Sequence, residues 1–489
     1  MKKINLLIIF SILLFSTSSC KDFFDVNEPT NVIPDKDHNL DLLMPTLEYH
    51  VHMLQYSKAF PMGQLQQHTA SYFEHGVDQH YETSMAGVWS RYYTKILVVV
   101  KKMHQIADKE GAKHYKGMVQ ILDALSLGMI ADTYGDIPYS DAGYGNNNLN
   151  PDLDNQQALY DNIQNLLDEG IANLAATDNT LWNTVKGDIV YYGDLGKWTR
   201  LAYTLKARYA MHLSKVNGVQ AAQDALTYLA NGFTSNSDDF QLAFTEKNKN
   251  PWHTSVVLAA QTSNLSVLFS EQLVNYMNGT DYPIANIDPR LPDYVDNGGA
   301  AEYKGAVNGK EGKAADGTSA NTVFNINSYY FQESSPLVLV SYAEALFLKA
   351  EAEFLVNGGT PTSVGSSQAA YDAYKEAIEA NMTKIEIKEN LMNDYLNDPA
   401  IDVTPANLKL EHIMKEKYIA LLLNPEIFTD MRRYDFSTNV YKSLDFPENR
   451  NPDMPANEWP RRAIYPSGEV DTNTHITQVN FWDRVWWDQ

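Results

Sequence analysis

The 489-residue chain carries 38 basic against 61 acidic residues, a formal charge of −23, with 44% hydrophobic and 20% charged residues. The hydrophobic and charged shares are ordinary for a globular protein, and the acidic excess makes nucleic acid phosphate and anionic lipid surfaces poor partners. A single cysteine, Cys20, leaves no internal disulfide to form and removes cysteine catalysis and zinc–thiolate sites from consideration.

Ahead of that cysteine stand a basic head (Lys2, Lys3), an apolar run from Ile4 to Phe15 broken only by Asn5 and Ser11, and the small polar stretch Ser16 to Ser19. This order is that of a secretory signal, and the run is shorter than the ~20 residues a membrane span needs. Residues 1–19 therefore read as a signal segment removed before Cys20, leaving 20–489 as one domain. The junction resembles a bacterial lipoprotein box, with Thr17 where Leu is usual. Acyl chains on Cys20 would anchor the protein, durably if there is more than one; Lys21, Asp22 and Asp25 resemble a surface-export signal. Cys20 is an anchor rather than a nucleophile.

Beyond the N-terminus most periodicity is helical. "NQQALYDNIQNLLDEGIANL" sets Leu159, Ile163, Leu166, Leu167, Ile171 and Leu174 on one face, after an N-cap at Asp154 or Asn155. "LGKWTRLAYTLKARYAMHLSK" repeats the pattern through Trp198, Leu201, Ala202, Leu205, Tyr209 and Leu213. Residues 240–252 and 300–331 are looser, and "NGGAAEYKGAVNGKEGKAADGTSANT" reads as a long polar, glycine-rich loop of the functional or mobile kind. "VSYAEALFLKAEAEF" and "SQAAYDAYKEAIEAN" are two helices separated by the breaker-rich "LVNGGTPTSVGS", a unit the size of one tetratricopeptide repeat or of an ordinary antiparallel pair. The final "NFWDRVWWDQ" spaces Trp482, Trp486 and Trp487 for docking against the body. The fold class is mainly all-α.

Catalytic motifs are missing: no nucleophile elbow, no His-Glu-x-x-His and no phosphate-binding glycine loop occurs. His50 and His52 diverge on a helix, and the scattered His68, His75 and His80 read as polar surface rather than a metal set. Asp152 and Asp154 lack the glycine and twelfth-position glutamate of a calcium loop, and helix capping accounts for them. No metal and no cofactor is expected. A glycosidase carboxylate pair cannot be read from spacing alone among 61 acids, so a surface hydrolase stays open as an alternative.

Taken together, six stretches resemble, in order, the SusD/RagB family of outer-membrane nutrient-binding lipoproteins. They are "ADTYGDIPYSDA" (Ala131 to Ala142), the helix after Asn155, Gly187 to Ser214, the segment holding Asp288 to Leu291, the helix of "PLVLVSYAEALFLKAEAEF", and "IMKEKYIALLLNPEIFTDMRRYDF" with "RRAIYPSGEVDTN" after it. The resemblance implies tetratricopeptide-like helix pairs forming a curved scaffold with irregular loops packed on it. It also implies a non-enzymatic role: a lipoprotein on the outer face of the outer membrane that captures a glycan, or a peptide, and passes it to a SusC-like TonB-dependent transporter.

Aromatics with amide neighbours suit the apolar faces and polar rims of sugars. Trp89, Trp198 and Tyr209 sit at core spacing. The candidate ligand-binding residues therefore come from irregular segments: Tyr72, Gln79, Tyr81, Trp252, Tyr282, Asn327, Tyr329 and Tyr330.

Overall fold

The computed structural model describes residues 39–73, 85–144, 148–178, 180 and 185–489. About 51% of it is helical, and the helices follow one another in space as they do in sequence. Helix α1, Leu40–Leu65, is N-capped by the Asn39 side chain, which accepts the Leu42 N–H. Then come β1 (Thr69–Ser71), α2 (Ala86–Arg91), a π-helical turn (Tyr92–Leu97), α3 (Val98–Glu110) and α4 (Lys113–Tyr134). Helices α5 (Gln156–Ala175), α6 (Leu195–His212) and α7 (Val219–Leu229) continue the row. Each packs on its predecessor from α3 to α7.

The chain then leaves the row for a loop layer. It holds β2 (Phe240–Leu242), β3 (Val267–Phe269), α8 (Glu271–Met277), β4 (Val295–Asp296), β5 (Val323–Phe324) and β6 (Leu337–Val340). The strands pair antiparallel as three two-stranded ribbons, β1–β3, β2–β6 and β4–β5. Helices α9 (Tyr342–Val356) and α10 (Gln368–Lys384) rejoin the row through α7, and α11 (Glu389–Leu396), α12 (Leu410–Ala420) and α13 (Glu426–Arg433) close it. The fold is a tetratricopeptide-like helical scaffold with loops packed on it.

Close approach within the row is set by glycine. A Cβ on Gly117 of α4 would lie 2.8 Å from the Gly170 carbonyl of α5, and one on Gly128 would lie 2.2 Å from the Tyr209 hydroxyl. Glycine inside a helix costs about 0.5–1 kcal/mol against alanine, so these positions exchange helix propensity for contact. Asn155 is the N-cap of α5, as its sequence suggested, accepting the Ala158 N–H at 2.9 Å. Asp154 instead ties down the preceding turn, accepting from the Tyr139 and Ser140 N–H groups.

The segment 131–139 is structural. Tyr134 is fully buried with its hydroxyl on the Met85 carbonyl, Tyr139 donates to Asp123, and Gly135 takes φ 80° where α4 ends. Trp487 at the far terminus is fully buried and its indole donates to Asp132 at 3.0 Å, so the tail docks as expected.

Candidate functional site

Two kinds of polar cluster compete for attention. The first lies inside the scaffold, where Asp132, His212 and Glu426 bring ligand-type atoms within 4.8 Å of one another. Both ring nitrogens of His212 are already engaged, Nδ1 with Tyr160 and Asp132 and Nε2 with Glu426 at 2.8 Å. Burial alone would lower its pKa, but the two flanking carboxylates outweigh that and hold the imidazolium above its usual range. The cation is therefore His212 itself, and the trio is a buried ion-pair strut joining α4, α6 and α13.

A second buried network explains Asp288 to Leu291. Arg290, with no solvent exposure, donates to Asp288, to Glu416 at 2.5 Å and to Asn381 at 3.2 Å; Glu416 also receives Lys415 at 2.6 Å. Arg290 rivets the loop layer to α10 and α12. His68 corrects the surface reading of the sequence, being fully buried. Its Nε2 donates to the Tyr418 carbonyl at 3.0 Å and its Nδ1 accepts the Leu423 N–H at 3.0 Å, a neutral ring whose pKa burial depresses to about 3.

The second kind of cluster opens to solvent in the loop layer. A cleft of about 550 Å³ lies between α8 and the loop 298–321, within the size range of small-ligand sites. Its lining includes Tyr303, Asn275, Asn278, Glu271, Lys304 and Asp316. The glycine-rich loop is tied at many points rather than slack. Gly305 presses so close to α8 that a Cβ there would sit 2.4 Å from the Glu271 Cα. The buried Asn308 donates to the Gln64 and Thr69 carbonyls and receives the Ser270 hydroxyl, linking loop, α1, β1 and α8. On the rim, Lys304 donates to Asp316 at 2.7 Å, and Thr318 donates twice to the same carboxylate. These bonds, led by Lys304, hold the Asp316 carboxyl below its usual range, whereas burial pushes Glu271 up. The cleft thus offers one aromatic ring, two amides and a net-acidic rim. A neighbouring cleft of about 620 Å³ shares Ile287 with it and is walled by Pro289, Pro292, Pro399 and Leu391.

The residues singled out from sequence scatter across this map, except that Trp252 and Tyr330 line one crevice. Tyr72, 41% exposed, stands edge-on to Phe73 and lies over Gly312 of the cleft loop. Asn327 is exposed beyond β5. Tyr329 is half-buried, with Lys384 5.7 Å from its ring centre, and Tyr282 is half-buried between Lys415 and Lys442. Tyr330 lines a crevice of about 40 Å³, too small for a sugar ring. Trp252 was placed in an irregular segment; it instead opens a helical turn and is 6% exposed, packed on Tyr56 and Phe60. Cys20, Gln79 and Tyr81 lie outside the described residues. Tyr303, Asn275 and Asn278 were not singled out beforehand, although the glycine-rich loop that carries Tyr303 was.

Comparison with known proteins agrees with a helical-repeat scaffold carrying a loop layer. Residues 32–466 match the SusD-like family described as starch-binding and associating with the outer membrane, and the chain belongs to that family. Family members are binding proteins rather than enzymes. Among solved structures, the chain resembles a chitin-binding SusD homologue from Flavobacterium johnsoniae (20% identity, 92% of this chain and 99% of that one, TM-score 0.71). It also resembles a SusD/RagB family protein from Bacteroides thetaiotaomicron (22%, 91% and 99%, TM-score 0.68). A SusD homologue from Bacteroides uniformis is similar as well (20%, 93% and 100%, TM-score 0.71). No curated protein matches the chain. No helix of the described residues is long and apolar enough to cross a membrane.

Proposed function

We propose that this protein is a cell-surface receptor, anchored through acylated Cys20 after loss of residues 1–19, that captures an oligosaccharide and delivers it to a SusC-like TonB-dependent transporter. The observation that carries the ligand class is the cleft between α8 and the loop 298–321, with the Tyr303 ring, the Asn275 and Asn278 amides and the Lys304–Asp316 pair around about 550 Å³. A sugar lays its C–H face on an aromatic ring and its hydroxyls on amides and carboxylates. The acidic rim disfavours anionic glycans and suits neutral or amino sugars. Family membership and the chitin-binding relative support the reading, and they make chitin and starch fragments the first probes. Tyr72 and Phe73, exposed beside the same loop, extend the platform.

Binding, not turnover, is the role. Calorimetry of residues 21–489 with chito- and malto-oligosaccharides is expected to show binding with no consumption of ligand. Tyr303→Ala and Asn275→Ala weaken it. Unchanged affinity in both variants moves the site elsewhere, and release of shorter sugars overturns the receptor reading.

A further inference from the structure

One strained residue lies apart from the cleft and from the buried networks described so far. The turn between Gly187 and Asp194 is organised by the buried Asp188 carboxylate. It accepts the N–H groups of Val190 (3.0 Å), Tyr191 (2.8 Å) and Gly193 (2.8 Å) and the Trp198 indole (2.8 Å). Within this frame Tyr192 adopts φ 54° and Gly193 φ 84°. Left-handed backbone is free for glycine but costly for a residue with a Cβ, and such strain persists only where the surroundings over-determine it.

Ten non-glycine residues of the described chain have positive φ. Seven are polar, and Leu423 and Phe436 bury their side chains. Tyr192 does neither: it is 78% exposed, the most exposed large hydrophobic side chain among the described residues. Glycine would make the same turn at less cost, so the ring is not there for the fold.

We propose that Tyr192 is a platform for a polysaccharide chain, separate from the Tyr303 cleft; the inference rests on the carbohydrate reading above. Of its chain neighbours, Lys186, Asp194 and Gly196 are exposed, while the apolar Ile189, Val190 and Leu195 are half-buried. An exposed ring beside charged neighbours fits the C–H face and polar rim of a sugar, whereas a protein hot spot is ringed by contacts that exclude water. The turn and the cleft are far apart. Ile189 is bonded to Glu48 of α1, while the cleft loop is bonded at Gln64, sixteen residues on, or about 24 Å of helix. The platform therefore serves long chains, and a short oligosaccharide in the cleft does not reach it.

The test compares the unmodified protein with Tyr192→Gly, Tyr192→Phe and Tyr303→Ala, using retention on insoluble chitin and starch and calorimetry with short oligosaccharides of each. Tyr192→Gly is expected to raise Tm by relieving strain and to weaken polymer retention roughly fivefold, the order a single aromatic contact supplies. Short-ligand affinity stays unchanged, and Tyr192→Phe retains binding. Undiminished retention of Tyr192→Gly overturns the platform alone, as does an equal loss with short ligands. An unmodified protein that binds neither polymers nor oligosaccharides overturns the platform and the proposed function together. Loss of short-ligand binding confined to Tyr303→Ala confirms the cleft whatever Tyr192 does.

Discussion

The scaffold interior and the loop-layer cleft use similar side chains to opposite ends. Inside, Arg290, Asp288 and Glu416 are wholly removed from water and bonded to one another. At the cleft, Lys304 and Asp316 form a similar pair at the solvent boundary. A buried pair cannot lose one partner without stranding a charge, whereas an exposed pair contributes little to stability. The interior charges therefore fix where loops sit relative to helices, and the cleft charges remain available to a ligand. Chemistry alone does not separate structural from functional residues here; solvent access does.

The contrast is broken most severely at Arg290. Arg290→Ala leaves Asp288 unneutralised in the core and Glu416 with Lys415 as its remaining cation, and is expected to cost about 3–5 kcal/mol, measured by urea denaturation. A loss within the range of an ordinary surface change would show the rivet to be dispensable.

Acidity sharpens the contrast next. Burial depresses His52 to about 4 and His68 to about 3. The stability they contribute is present above the unfolded value near 6.5 and drains as pH falls toward those folded values. His212 has the opposite sign: its raised pKa contributes fully below about 6.5 and is lost as pH rises through the folded value. Glu351 and Glu416, held at about 2 by Arg433 and by Lys415 with Arg290 against their own desolvation, drain only at lower pH. Urea midpoints between pH 4 and 9 should therefore fall on both sides, with His68→Gln flattening the acid limb and His212→Gln the alkaline one. Matching profiles for both variants would refute the assignment.

Gly128→Ala drives a methyl group into the Tyr209 hydroxyl and is expected to cost about 1–3 kcal/mol, as overpacking does. An unaltered Tm would mean that α4 and α6 separate freely. Smallest in stability is Tyr303→Ala, expected to move Tm within the scatter of a surface change while weakening oligosaccharide binding about tenfold. A variant that unfolds would place Tyr303 with the interior rather than the cleft.

The helices were legible because burial recurs every three to four residues: Leu159, Ile163 and Leu167, or Trp198, Leu201 and Leu205, announce one face each. The segment around Arg290 was legible as a marker but not as a mechanism, since its partner Glu416 lies 126 residues further on. His68 was misread for the same reason. Nothing in "QLQQHTASYF" indicates a core position, and its burial comes from Tyr418 and Leu423, some 350 residues away. Trp252 sits at the end of the looser stretch 240–252, where Pro251 opens a helical turn, and proline is at home in the first helical turn. The cleft was half legible: composition flagged its loop, but nothing in "SEQLVNYMN" singled out its α8 wall.

Asn308 carries one more consequence. By tying the glycine-rich loop at once to the end of α1, to β1 and to α8, it makes opening of that loop contingent on unpicking the scaffold. Proteases cut what opens, not what is rich in glycine. A loop whose composition invites cleavage should therefore resist digestion about as long as the helices beneath it.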